Sequence, residues 1–167
     1  MKQFMSKKHI LLILALACSL CLLTGCSKDP KNFTVNQLTI TLTEEFEVQE
    51  NKIFDIYIES NDVGFSAVEE TAESLEYAGY EISSLKDYCM EILELNNTPT
   101  SELKQRGNYY YFVNSSVKSG ASYTYVHCMM EGFNSYWICE FACKTKFYDK
   151  YEDDIFKWAD SIVITSQ

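Results

Sequence analysis

Two adjacent segments, Tyr123 to Glu131 and Ser135 to Lys144, restrict the possible folds more than any other part of this 167-residue chain. Both have the β-branched and aromatic content of strands, and Gly132-Phe133 between them reads as a turn. Successive side chains in a strand point to opposite faces. One face therefore presents Val126, Cys128, Met130, Trp137, Cys139, Phe141 and Cys143, with no charge at all. The other presents Tyr125, His127, Met129, Tyr136, Ile138, Glu140 and Ala142, nearly as apolar but with polar handles. A sheet with two apolar faces needs a covering layer on each side. Two helical stripes can supply them. Leu85, Tyr88, Cys89, Ile92 and Leu93 recur at helical spacing over Ser84 to Leu95, and Tyr148, Tyr151, Ile155, Trp158, Ala159 and Ile162 do so near the C-terminus. The expected fold class is α+β: an α/β/α sandwich with a central, mainly antiparallel sheet and helices on both faces.

The remaining elements follow from alternation and turn residues. Phe33 to Val35 and Leu38 to Leu42 read as strands, and so do Ile53 to Glu59 and Val63 to Val68, joined at Asn61-Asp62. The acidic stretch from Glu69 to Tyr80 is ambiguous between irregular and weakly helical structure. Ser84-Leu85-Lys86-Asp87 resembles a capping box, and Asn96-Asn97 with Pro99 stops that helix. Glu102 to Arg106 and Tyr109 to Val117 form a hairpin around Gly107-Asn108, and Lys118-Ser119-Gly120 turns the chain into Tyr123. A turn centred on Gly132-Phe133 places Cys128 opposite Trp137 and Val126 opposite Cys139, which makes His127 and Glu140 diagonal neighbours.

The N-terminus carries a different signal. Lys2, Lys7 and Lys8 precede an uncharged run from Ile10 to Leu23, too short to span a bilayer comfortably and typical of a signal-peptide core. Leu23-Thr24-Gly25-Cys26 follows, and resembles the bacterial lipobox, in which a cysteine receives diacylglycerol before cleavage. The expected organisation is a signal peptide over 1–25, lipidated Cys26 with a polar tether to residue 32, and a single globular domain over 33–167. Several acyl chains on one residue anchor far more strongly than one, at about 0.8 kcal/mol per buried CH₂. The domain is thus expected on the extracytoplasmic face of the cell membrane, held to the bilayer through Cys26. Loss of the leader removes three lysines and no acid, taking the net charge from -10 to -13. Such a surface repels nucleic acid and anionic headgroups.

Cys18 and Cys21 lie in the leader, which leaves Cys89, Cys128, Cys139 and Cys143 in the domain. On one strand Cys139 and Cys143 would lie ~13 Å apart, against the roughly 7 Å limit between the Cα atoms of a disulfide. Buried free thiols are the expected state. No C-x-x-C pair, H-E-x-x-H or glycine-rich phosphate loop occurs, so neither a metal nor a cofactor is expected. With His9 in the leader, His127 is the one histidine through which hydrolytic chemistry could run, and the expectation is a protein that is not an enzyme. Glu152-Asp153-Asp154 lacks the spacing of a calcium loop and reads as a solvated face.

One constellation stands out on the polar-handled face: His127 and Glu140, with Tyr125 and Tyr136 beside them and Tyr110 and Phe112 on the next strand. It is either a small aromatic pocket or docking patch, or an ordinary cross-strand packing set beneath a helix.

The order of strands, helix, antiparallel meander and C-terminal helix is carried by Leu38-Thr39-Ile40-Thr41-Leu42-Thr43-Glu44-Glu45-Phe46, by Tyr136-Trp137-Ile138-Cys139-Glu140-Phe141 and by Ile155 to Ile164. It resembles the PsbP-like and Mog-like α/β/α sandwich family over Phe33 to Ile164, and is especially similar to that family's small bacterial lipoproteins. The resemblance implies a non-catalytic accessory module that docks onto an envelope protein. The alternative is a lipoprotein that binds a small ligand on the His127 and Glu140 face. Its motifs are hydrophobic patterns, so no family site carries over to a residue of this chain.

Overall fold

The computed structural model describes residues 29–98 and 102–165. The expected leader, Cys26 and Pro99 lie outside them. Seven strands form an antiparallel sheet in the order β3 (Glu47–Val48), β4 (Ile56–Glu59), β5 (Val63–Thr71), β9 (Ser135–Lys144), β8 (Ala121–Glu131), β7 (Tyr109–Lys118) and β6 (Lys104–Arg106). A second, three-stranded sheet joins β1 (Pro30–Val35), β2 (Leu38–Thr43) and β10 (Val163–Ile164). Among the described residues, three α-helices accompany the sheets: α1 (Ala72–Tyr77), α2 (Leu85–Leu95) and α3 (Tyr148–Asp160). The expected α+β class with helices on both sheet faces is what the chain forms.

The two cores lie on opposite sides of the large sheet. On one side Val126, Cys128, Trp137, Cys139 and Phe141 pack beneath α3 and the small sheet, with Phe46 and Trp158 edge to face at 5.1 Å. On the other side Phe112 and Met129 pack against Leu75 of α1 and Tyr88, Cys89, Ile92 and Leu93 of α2. Local chemistry starts both helices on this side. Thr71 accepts the Ser74 N–H at 3.1 Å ahead of α1, and Ser84 accepts the Asp87 N–H at 3.2 Å as the capping pattern predicts. Each hydroxyl satisfies a backbone donor that the first helical turn leaves without a partner.

Several expectations need correction. The strand expected over Ile53 to Glu59 begins only at Ile56. Asn51 Oδ1 accepts the N–H groups of Ile53 and Phe54 and turns the chain there, leaving Ile53 80% exposed. The polar tether expected up to residue 32 is already strand from Pro30, paired with Thr43. The first two strands leave the central sheet and cover one of its faces, where β10, a strand without any predicted counterpart, pairs with β2. The ambiguous acidic stretch divides, with Glu69 to Thr71 extending β5 and Ala72 to Tyr77 turning helical.

The register of the β8–β9 hairpin also differs, by two residues. Cys128 pairs with Cys139 and Val126 with Phe141, because the turn has Phe133 and Asn134 at its centre and is flanked by Gly132, whose N–H donates to Ser135 O at 2.8 Å. Asn134 takes the left-handed conformation at φ 53°, which asparagine tolerates better than most residues. Gly132 meets a packing need rather than a turn: a Cβ there would lie 2.4 Å from Ser135 Oγ and 3.0 Å from Trp137 Nε1. A shift of two keeps every side chain on its face, so the two expected sets of face residues are the observed ones.

Candidate functional site

Helices α1 and α2 cover only part of their side of the large sheet. Beyond them, β4, β5 and β9 leave a trough of about 520 Å³ whose floor is Gly64, Ser66 and Ala142. The register explains the floor. Gly64 pairs with Ala142 and Ser66 with Glu140, so the smallest side chains of two neighbouring strands lie side by side. Tyr57 rises from β4 on one side, and Tyr123 and Tyr125 from β8 on the other. Tyr57 is braced, its ring stacked with Phe54 at 6.0 Å and its hydroxyl donating to Glu59 Oε2 at 2.8 Å. Partial burial together with the Glu59 carboxylate pushes the Tyr57 phenol up to about 12. Lys118 and Lys144 stand at the rim.

Glu140 and His127 are directly opposed across β9 and β8, not diagonal, with Nδ1 and Oε2 3.2 Å apart. Glu140 lines the trough. His127 lies behind it, 6% exposed and stacked on Phe112 at a centroid distance of 4.3 Å. Its Nε2 is 3.3 Å from Asn114 Oδ1. An amide oxygen only accepts, so Nε2 carries a hydrogen in this arrangement. Burial drives both groups toward their neutral forms, taking the imidazole down to about 4 and Glu140 up to about 7, against a small opposing pull from Lys118 on the carboxyl. A neutral imidazole protonated at Nε2 has a lone pair at Nδ1, placed to accept from the Glu140 carboxyl when that group is protonated. The pair is thus a hydrogen-bonded unit holding one titratable proton near neutrality.

The residues expected to form one binding face divide. Tyr125 and Glu140 line the trough, and His127 supports Glu140 from behind. Tyr136 belongs elsewhere: it lies four residues along β9 from Glu140, about 13 Å away at the rise of a strand. There it stacks on Tyr88 of α2 at 4.6 Å and borders a separate cavity of about 490 Å³ beside α1. Sequence reading missed Tyr57, Glu59, Gly64 and Ser66. The only signal for them was the small-residue pattern of Gly64 and Ser66 on a strand otherwise carrying Val63, Phe65 and Val68. All four cysteines of the domain are free and buried, as expected. Burial pushes the Cys89 thiol up to about 12.

No family model matches the chain, and no curated protein matches it by sequence. Solved structures do. A Bacteroides thetaiotaomicron protein determined at 1.50 Å superposes with a TM-score of 0.55 and 14% identity, covering 82% of this chain and 49% of that one. The chain thus spans about half the length of that structure. The Saccharomyces cerevisiae Ran-binding protein Mog1p gives a TM-score of 0.53 with 11% identity over 83% of this chain and 96% of that one. Cyanobacterial PsbP (CyanoP) from Synechocystis sp. PCC 6803 gives 0.43 and 9%, covering 82% and 92%. At these identities the likeness is one of fold, and this chain is an α+β protein of Mog1p-like architecture.

Proposed function

We propose that the protein is a lipid-anchored, extracytoplasmic accessory module without catalytic activity, and that it engages an envelope protein through the trough beside Glu140. The observation that carries this reading is the part of a sheet face that α1 and α2 leave uncovered. Concave, lined by small side chains and flanked by tyrosines, it has the form of a recognition surface. The nitrogens of His127 face Asn114 and Glu140, which leaves the imidazole structural and not a base beside a nucleophile. The lipobox-like Leu23-Thr24-Gly25-Cys26 supports the anchor. Proximity cross-linking with mass spectrometry on the membrane-bound protein tests the reading, with Cys26→Ser as a mislocalised control. A single enriched partner, lost in the control and in a trough variant such as Gly64→Leu, is the expected result. No enriched partner would refute docking.

The volume of the trough favours one second reading, a small-ligand-binding lipoprotein, since about 520 Å³ lies within the usual range of ligand sites. It predicts that a metabolite screen finds compounds that raise the melting temperature of the wild type but not of Gly64→Leu.

A further inference from the structure

The trough brings together aromatic faces and carboxylates in a chain whose expected mature form carries a net charge of -13. Tyr57, Tyr123 and Tyr125 flank it, and Glu59 and Glu140 supply acidic groups from opposite sides. Asp62, also at the margin, is engaged by the Tyr151 hydroxyl at 2.7 Å and by Lys150. Tyrosine faces attract cations through the ring quadrupole, and the attraction grows where water is displaced. A carboxylate beside such a face completes the environment in which quaternary ammonium and guanidinium groups are held. We propose that the trough binds an organic cation, an ammonium or guanidinium group, against Tyr57 and Tyr125 with Glu140 as its principal counter-charge. This deepens the recognition reading above by naming the chemistry recognised, and rests on the same trough.

The position of Glu140 adds a consequence. The carboxyl is partly sequestered on the sheet floor with His127 behind it, Lys118 and Lys144 as the cations of the trough, and Tyr125, Tyr57 and Glu59 lining the same trough from β8 and β4. It holds its proton to about pH 7. An arriving cation replaces that proton as the partner of the carboxylate, so binding below neutrality releases a proton to solvent. The released proton is the only covalent change: an O–H bond on Glu140 breaks, and buffer takes the hydrogen ion. Lys118 competes with the ligand for the same carboxylate, and its removal should tighten binding.

The test is calorimetric titration of the full-length chain in detergent, in pairs of buffers of different ionisation enthalpy, at pH 6 and pH 8. Choline, spermidine and argininamide serve as free cations, and a capped Gly-Arg-Gly peptide stands for a partner's side chain. The expected result is a dissociation constant about tenfold lower at pH 8, with about one proton released per ligand at pH 6 and about none at pH 8. Glu140→Gln should abolish proton release and weaken binding, and Lys118→Ala should strengthen it. Gly64→Leu should block the trough at either pH. Binding of the free compounds assigns the cation to a small molecule, and binding of the peptide alone assigns it to a protein partner. Either result supports the proposal. Absence of binding at both pH values, or binding unchanged in Glu140→Gln and Gly64→Leu, overturns it. In that case a cross-linked partner lost in Gly64→Leu would leave the docking reading standing without the cation. Cation binding with no cross-linked partner would instead remove docking and retain the small ligand.

Discussion

His127 and Glu140 stand directly opposite each other, Nδ1 3.2 Å from Oε2, where strand register alone decides whether the two side chains meet. Each group is shifted toward its neutral form, and the shifts have opposite consequences for stability. An acid raised from 4.5 to about 7 stabilises the fold at low pH, and that contribution is lost as pH rises from about 4.5 to about 7. A histidine lowered from 6.5 to about 4 stabilises it at high pH, and that contribution is lost as pH falls from about 6.5 to about 4. Between about 4.5 and 6.5 the folded pair and the unfolded pair each hold one proton, so the two slopes cancel.

The single variants expose those slopes. Relative to wild type, His127→Gln should lose stability as pH rises from 4.5 to 6.5, and Glu140→Gln should lose it as pH falls over the same interval. Each difference should be on the order of 2 kcal/mol. Urea midpoints across this range measure both, and parallel curves for the two variants would show that burial does not hold the two groups neutral.

Gly132 and Gly120 should respond differently to alanine. At Gly132 the new Cβ would collide with Ser135 Oγ and Trp137 Nε1, both buried and without hydrogen-bond partners among the described residues. The expected cost is about 1–3 kcal/mol of overpacking. At Gly120 the surroundings are open and only the φ of 80° is unfavourable, so Gly120→Ala should cost about 1 kcal/mol. Melting temperatures of the two variants give the comparison directly.

Phe46 joins the segment after β2 to the ring of Trp158 on α3, and is fully buried. Phe46→Ala should destabilise by about 3–5 kcal/mol through the cavity it leaves. Because the contact lies on the face opposite the trough, ligand or partner affinity of the remaining folded protein should be unchanged. A loss of binding at full folding would contradict the separation of the two faces.

Arg106 joins the outermost strand to the end of α3, its Nε and Nη2 donating to the two Asp160 oxygens at 2.8 and 2.6 Å. The Tyr109 hydroxyl donates to the same carboxylate at 3.0 Å. The Arg106 pair holds Asp160 below the usual carboxylate range, so its contribution is present near neutrality and disappears as pH falls. Both side chains are nearly half exposed, which limits Arg106→Lys to roughly 0.5–1 kcal/mol despite the bidentate geometry. Chemical denaturation at pH 7 in low and high salt should show this difference shrinking with salt.

Period and capping made α2, α3 and the long antiparallel strands legible, because those features are local. The two faces of β8 and β9 were legible for the same reason: a side chain's face depends only on the parity of its position. The register was not, since Gly132 has the look of a turn residue while serving a packing role beside Ser135 and Trp137. The incomplete helical cover on the trough side and the separate β1-β2-β10 sheet depend on how chain-distant surfaces pack.

By itself, the order of residues determined that α2, α3 and the long strands β7, β8 and β9 form where they do, and which side chains of β8 and β9 are apolar on each face. Those properties follow from backbone stereochemistry and alternation over a few residues. Only the tertiary structure decided that Gly64, Ser66 and Ala142 form one floor, that Tyr57 from β4 faces Tyr125 from β8 across it, and that Tyr136 belongs to another cavity. β5 and β9 are neighbours in the sheet although two helices and three strands separate them in the chain. A site assembled across that pairing arises from non-local contacts, and no local pattern along either strand encodes its partner.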